Sequence, residues 1–275
     1  MALRINNNIS SVFSQKHISR AQARLDSNFE HLSSGLRITK ASDDAAGLAM
    51  SESMRSQLRS LKQAMLNTND GISMIQTAEG SLGEIASNLM RMRQLAVQSA
   101  SGVIQTLERG YIATEFNALK TEVDRIANVT EFNGLFLSNG ATTSITLQVG
   151  INNVAANDRL TVTMQDANIA QLALTGTVVN TQGAAQTAIG AIDTALDSIN
   201  TRRAAYGAAQ NSLNSALHNL QSYTENLVAS ESRIRDVDFA AETADMTRNS
   251  VFQQAGIAVL SQANQSPQVA LQLLQ

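Results

Sequence analysis

The chain is 275 residues long, with a net charge of −3 and no cysteine. So even a charge balance gathers neither nucleic acid nor an anionic membrane, and thiol chemistry, disulfides and Cys-zinc sites are all excluded. Hydrophobic residues make up 43% but aromatics only 4%, with no Trp and one Pro, so the core must be built from Ala, Leu, Ile, Val and Met, as in helix-on-helix seams.

Residues Met1 to Ser11 hold Arg4 and three consecutive Asn but no apolar run of signal-peptide length. No apolar stretch approaches the roughly 18 residues of a membrane span. On these grounds alone the location reads as cytoplasmic, with no membrane insertion. Ile9, Val12, Phe13, Ile18, Leu25, Phe29 and Leu32 then form a helical stripe. Ser42 reads as the N-cap of the next helix, with Asp43 and Asp44 answering its dipole. Along that helix Leu58, Leu61, Met65, Ile72, Ile75, Leu82, Leu89 and Met92 keep spacings of three and four up to a break at Ser101 and Gly102. Ile112, Phe116, Leu119, Val123 and Ile126 predict a second, shorter helix before a turn at Asn133 and Gly134.

Between about residues 132 and 164 the period drops to two. Ile145, Leu147 and Val149 alternate with polar residues and are answered by Leu160, Val162 and Met164, which predicts short strands joined by a loop over 150–158. Residues 166–183 read as a polar connector. The strongest signal follows: Ile192, Ile199, Tyr206, Leu213, Leu220, Leu227 and Ile234 recur every seventh residue, as in a coiled-coil seam. A companion series of Ile189, Leu196 and Leu217 is interrupted by Arg203, Gln210, Thr224 and Glu231. At 1.5 Å per residue this helix covers ~63 Å, too long to bury itself, so Leu61, Ile75, Leu82 and Leu89 are assigned as its partner seam.

The last stretch, Asn249 to Gln275, carries no charge; within it Phe252, Val259 and Leu273 fall on a sevenfold spacing, and Ser266 with Pro267 predicts a kink or a restart of the helix. Residues 1–40 carry six basic and two acidic side chains, and residues 236–275 carry four acidic and one basic, so the two ends attract each other. The expected fold is mainly α: a long antiparallel coiled-coil bundle from both chain ends with a small β-hairpin region. His17, His31 and His218 lack partners at ligand spacing and read as helix-surface residues. Met50, Met54, Met65, Met74, Met90 and Met92 read as core filling, and Arg91, Arg93 and Arg125 as a solvated face. Phosphate loops, nucleophile elbows and zinc-helix motifs are absent, so no catalytic residue, metal or cofactor is assigned and no enzyme is expected.

Particular strings go further. Leu32-Ser-Ser-Gly-Leu-Arg-Ile38, Ser42-Asp-Asp-Ala-Ala-Gly-Leu-Ala49, Asn69-Asp-Gly-Ile-Ser-Met-Ile-Gln-Thr-Ala-Glu-Gly80, Arg91-Met-Arg-Gln-Leu-Ala-Val-Gln98, Glu131-Phe-Asn-Gly134, Glu231-Ser-Arg-Ile-Arg-Asp-Val-Asp238 and Gln262-Ala-Asn-Gln-Ser-Pro-Gln268 closely resemble bacterial flagellin over residues 1–165 and 185–275. The resemblance implies a structural subunit of the flagellar filament, a short form whose connector at 166–183 replaces large outer domains. The rival reading is a hook–filament junction protein, which shares such termini.

The resemblance further implies a layered homo-oligomer: residues 1–42 with 236–275 pair as inner helices lining a channel, and 43–235 form the surrounding tube. Ile9, Phe13, Leu25, Phe29, Leu32, Phe252, Val259 and Leu273 are then the filament-core contacts. It implies terminal segments that order only on assembly, and export through a type III apparatus, which changes the expected location to secreted and extracellular. Expected partners are an export chaperone on the C-terminal segment from about Asp236, filament cap and hook-associated proteins, and an animal Toll-like receptor meeting Arg91, Leu95 and Glu115. Met90 departs from the polar residue common in the family at that position.

Overall fold

The computed structural model describes residues 8–272, with side chains through Gln265. Ten elements follow one another: α1 (Ile9–Ser34), α2 (Ala45–Ser99), α3 (Thr106–Val129), β1 (Glu131–Phe132), β2 (Leu135–Phe136), β3 (Ser144–Gln148), α4 (Ala155–Asp158), β4 (Arg159–Thr163), α5 (Gln182–Arg235) and α6 (Phe239–Gln272). The fold is mainly helical with two small antiparallel sheets, as the periodicity predicts. Two compact units result, one of Arg59–Thr224 and one of Met1–Leu58 with Glu225–Gln275.

In the Arg59–Thr224 unit, α2, α3 and the first part of α5 share one core. Leu61, Ile75, Leu82 and Leu89 of α2 are at most 1% exposed, as are Ile192, Ile199, Tyr206 and Leu213 of α5, and Leu220 is also buried. Glu79 pairs with Arg203 and Asp193 with Arg93, a falling register against a rising one that makes α2 and α5 antiparallel. The second core position on α5 differs from expectation. Ala188 and Ala195 are buried, while Ile189 and Leu196 only pack against the edge of the core. The series of Ala188 and Ala195 continues at every seventh residue to Ala209 and Ala216, broken only by Arg202, so alanines fill most of this side of the seam. The Tyr206 hydroxyl accepts the Gln165 N–H at 2.9 Å, which satisfies the one polar atom of that ring.

The strands pair as predicted, Ile145 with Val162 and Leu147 with Leu160. Asp158 folds the 150–158 loop inward: its carboxylate accepts the backbone N–H groups of Asn152 and Val154 across the single turn of α4. The turn at Asn133 and Gly134 closes β1 on β2, with φ of 50° and 77°. Two successive positive φ values define a type I′ hairpin, and only Gly accepts the second without strain. A Cβ at Gly134 would meet open space, so Gly134→Ala isolates backbone strain. It should cost about 1 kcal/mol in urea unfolding.

The connector corrects the expectation. Residues 166–181 hold no regular element, yet Ala167, Ile169, Leu172, Leu174 and Val179 are all buried in the core. Side chains hold the irregular backbone there: Ser99 Oγ donates to the Val179 carbonyl, Lys120 Nζ to that of Thr175, and Asp124 accepts the Ile169 N–H. These apolar residues keep neither a period of two nor of 3.6, so a pattern search passes over them.

Candidate assembly surface

The second unit contains the two chain ends. Between α1 and α2 the chain turns at Gly35, in the left-handed region at φ 72°, and its return passes through 236–238. The two linkers zip together: the Arg37 N–H donates to the Arg235 carbonyl and the Val237 N–H to that of Gly35. Arg235 reaches Glu52 at 2.9 Å. Leu227 is buried within this unit and Ile234 half-buried, so the sevenfold series loses burial toward its end. The boundaries between the two units fall inside the long helices, after Leu58 on α2 and before Glu225 on α5.

The helix start is capped differently from expectation. Asp44 Oδ1 accepts the Gly47 N–H and α2 begins at Ala45, so Asp44 is the cap and Ser42 is not. Asp43 organises the linker before it, accepting the backbone N–H of Lys40 and of Thr39 and the Thr39 hydroxyl. The Lys40 N–H, more than any other group, holds its carboxyl down at about 2, against an opposing cost of desolvation. A carboxyl depressed in the folded chain stabilises above its unfolded value, near 3.9, and that contribution fades as pH falls toward 2. Asp43→Asn should therefore make linker proteolysis faster at pH 7, with the difference from the parent chain vanishing by about pH 2.

From this linker α1 and α6 run antiparallel, and their shared face is built of small and polar side chains. On α1 it holds Ser11, Ser14, Ala21, Leu25 and Asn28, all buried, with Ile18 half-buried. On α6 the inward positions are Glu242, Met246, Asn249, Gln253, Gly256, Leu260 and Ala263, an unbroken alternation of four and three. The pairing is polar in detail. Asn8 donates to the Ala263 carbonyl at 2.8 Å, Asn249 to Asn28 at 3.0 Å, Gln253 to Gln22, and Asn28 to Glu242 at 2.6 Å. Gly256 permits the close approach, since a Cβ there would sit 2.8 Å from Ile18 Cγ1.

What this seam leaves out is more telling. Ile9, Val12, Phe13 and Phe29 of α1 are 59–66% exposed, and Phe239, Val251, Phe252, Ile257 and Val259 of α6 are 55–57% exposed. The pair thus buries its small polar residues and presents its large apolar ones. Among the sequence-predicted contacts, Ile9, Phe13, Phe29, Phe252 and Val259 lie on this outward surface, and Leu32 is half-buried. Leu25 does not join them: it is 5% exposed, used up in the seam with α6. Leu273 lies outside the described residues. α6 continues through Pro267 to Gln272 with no restart.

Charge contributes less than the count predicts. Among the described residues, α1 and α6 meet in one ionic contact, His31 with Glu242 at 3.1 Å. Arg248 and Asp245 pair within α6, and Lys40 pairs with Glu30. His31 is therefore no surface histidine, whereas His17 stacks edge-on against Phe13, with ring centroids 4.4 Å apart.

In the other unit Arg91 and Glu115 stand together on α2 and α3 at 2.7 Å, both about half-exposed. Leu95 does not share their surface. It is 2% exposed and packs in the core, because its place on α2 is one turn on from Met92, on the buried face. Among the described residues no group of acidic or histidine side chains could hold a metal, and no helix is long and apolar enough to cross a membrane.

The relatives of the chain bear on what such a surface is for. Residues 5–143 match the bacterial flagellin N-terminal helical region and residues 189–274 the C-terminal helical region. A flagellin of Halalkalibacterium halodurans is 43% identical over 270 residues, spanning 98% of this chain and 99% of that one. The flagellar filament 33 kDa core protein of Treponema phagedenis is 41% identical over 283 residues, 98% of this chain and 99% of that one. The crystal structure of Bacillus cereus flagellin superposes with a TM-score of 0.51 at 33% identity, over 60% of this chain and 94% of that one. With both helical regions matched and full-length relatives on either side, the chain belongs to the bacterial flagellin family and is a structural subunit of the flagellar filament.

Proposed function

We propose that the α1–α6 pair is the conditional part of this subunit, disordered in the free monomer and ordered when neighbouring copies cover it. The supporting observation is its inverted surface: polar Asn, Ser and Gln inside, Phe13, Phe29, Phe239 and Phe252 outside. Each large apolar side chain moved from water into a neighbour's surface contributes about 1.5–3 kcal/mol. A helix pair whose own seam is this polar gains little from pairing alone, so its order is coupled to association. In this reading residues 1–42 with 236–275 line the filament channel, and 43–235 form the tube around it.

The same reading places the filament outside the cell, reached by type III export. An export chaperone holds the segment from about Asp236, cap and hook-associated proteins meet the ends of the polymer, and an animal Toll-like receptor meets Arg91 and Glu115 without Leu95. Reassembly of purified chain with and without residues 249–275, viewed by electron microscopy, tests the core of it. Long tubes from the full chain alone are expected. An intact chain that stays monomeric, with both ends already protease-resistant, overturns the proposal.

A further inference from the structure

The opposite charges of the two chain ends remain largely unspent inside the subunit. Lys16 and Arg20 stand exposed on α1, on the side opposite its seam residues Ser14, Ile18 and Ala21. Among the described residues neither side chain forms an ion pair or a hydrogen bond. The half of the pair that lies away from the linkers, residues 8–23 with 250–265, holds these two cations and no acid. The linker half, residues 24–44 with 236–249, holds eight acidic side chains against four basic ones. Its internal contacts do not cancel that excess. Lys40 meets Glu30, Arg248 meets Asp245, and His31 stands 3.1 Å from Glu242 and 3.7 Å from Asp43. The helix pair is therefore a rod with a positive free half and a negative linker half.

A rod polarised along its length constrains how copies pack. Two copies side by side, parallel and in register, set like charge against like. A shift along the axis by about half of α1, roughly 20 Å for its 26 residues, sets the cations of one copy against the acids of the next. An antiparallel arrangement also matches the charges, but it closes into a dimer, whereas a filament subunit repeats one head-to-tail contact without closing. Lys16 and Arg20 continue the line of the exposed Ile9 and Phe13 at helical spacing, so the apolar and the charged contacts lie on one face. Exposed pairs add little strength and are screened beyond about 10 Å at ordinary salt, so this face sets register and orientation more than affinity.

We propose that Lys16 and Arg20 of α1 dock on the acidic linker half of a second copy displaced along the filament axis, a contact that sets the axial register of assembly. The proposal rests on the assembly reading above and adds the register of its contact. Three chains test it: Lys16→Glu with Arg20→Glu; Asp26→Lys, Asp236→Lys and Asp245→Lys together; and all five changes in one chain. The three aspartates are exposed, and their side chains take one partner each, Gln22, Ser232 and Arg248. Replacing them turns the acidic excess of the linker half into a basic one, five acids against seven bases. Critical concentrations are measured by sedimentation at low and high salt. At about 0.05 M salt each chain with one reversed half should need about tenfold more protein to polymerise, and the difference should shrink at about 1 M. A 1:1 mixture of those two chains, and the chain with all five changes, should return toward the parent value. Reversed chains that assemble at the parent concentration overturn the proposal. So does impairment by Lys16→Glu with Arg20→Glu that the mixture does not rescue, which would assign the two cations to a different anionic partner. A parent chain that never polymerises defeats the assembly reading and this proposal together, whereas a polymerising parent with indifferent variants defeats this proposal alone.

Discussion

Truncating Phe116 to Ala should lower the stability of the Arg59–Thr224 unit by about 3–5 kcal/mol, read as a lower urea midpoint with an unchanged slope. Phe116 is 0% exposed, and it stands in a chain with only 4% aromatic residues. It belongs to one apolar core shared by α2, α3, α5 and the connector. Side chains of α2 and α3 also tie the connector down by hydrogen bonds, so the hole cannot close by moving a single helix. Thermal melting should drop by on the order of 10 °C. Tyr111→Ala on the same helix provides the contrast, since Tyr111 is 69% exposed and its loss should leave stability within about 0.5 kcal/mol.

Phe252→Asp should have the opposite profile, leaving the unit around Phe116 untouched while raising the critical concentration for polymerisation by at least about 100-fold. Phe252 is 56% exposed on α6, at the edge of its groove with α1, so the free chain loses little by the change. In a filament the same position would lose the burial of a ring and gain a carboxylate that must be desolvated. Sedimentation of polymer against monomer gives the number, and an unchanged urea midpoint shows that the middle unit has not suffered. A variant that polymerises at the parent concentration would remove Phe252 from the assembly surface and weaken the case for its neighbours Val251 and Val259.

The long seams were legible because large apolar residues recur at the helical period: Ile192, Ile199, Tyr206 and Leu213, and Leu61, Ile75, Leu82 and Leu89, are buried as their spacing predicts, with Met65 and Ile72 half-buried beside them. The strand register was legible for the same reason at a period of two. The seam between α1 and α6 was not, although its period is just as regular. Ser11, Ile18 and Leu25, and Ser14, Ala21 and Asn28, recur every seven residues, as do Asn249, Gly256 and Ala263. A search for apolar residues selects Phe252 and Val259 instead, which repeat every seven residues on the outward side. The alanines of α5 at 188 and 195 escaped notice in the same way, outranked by the larger Ile189 and Leu196 beside them.

Local chemistry alone determined much of this protein: where helices run, where the Asn133–Gly134 turn falls, the absence of thiol chemistry and the family to which its strings belong. Tertiary structure decided which face of each terminal helix is inside. It did so because two helices can approach closely only where side chains are small, and Gly256 against Ile18 and Ala21 in the seam give that approach. The large apolar residues are then turned outward, toward other copies. Tertiary structure also decided that Leu25 and Leu95 are core, that residues 166–183 are packed, and that His31 meets two carboxylates from distant parts of the chain. None of these depends on a period, and each depends on which segments the fold brings side by side.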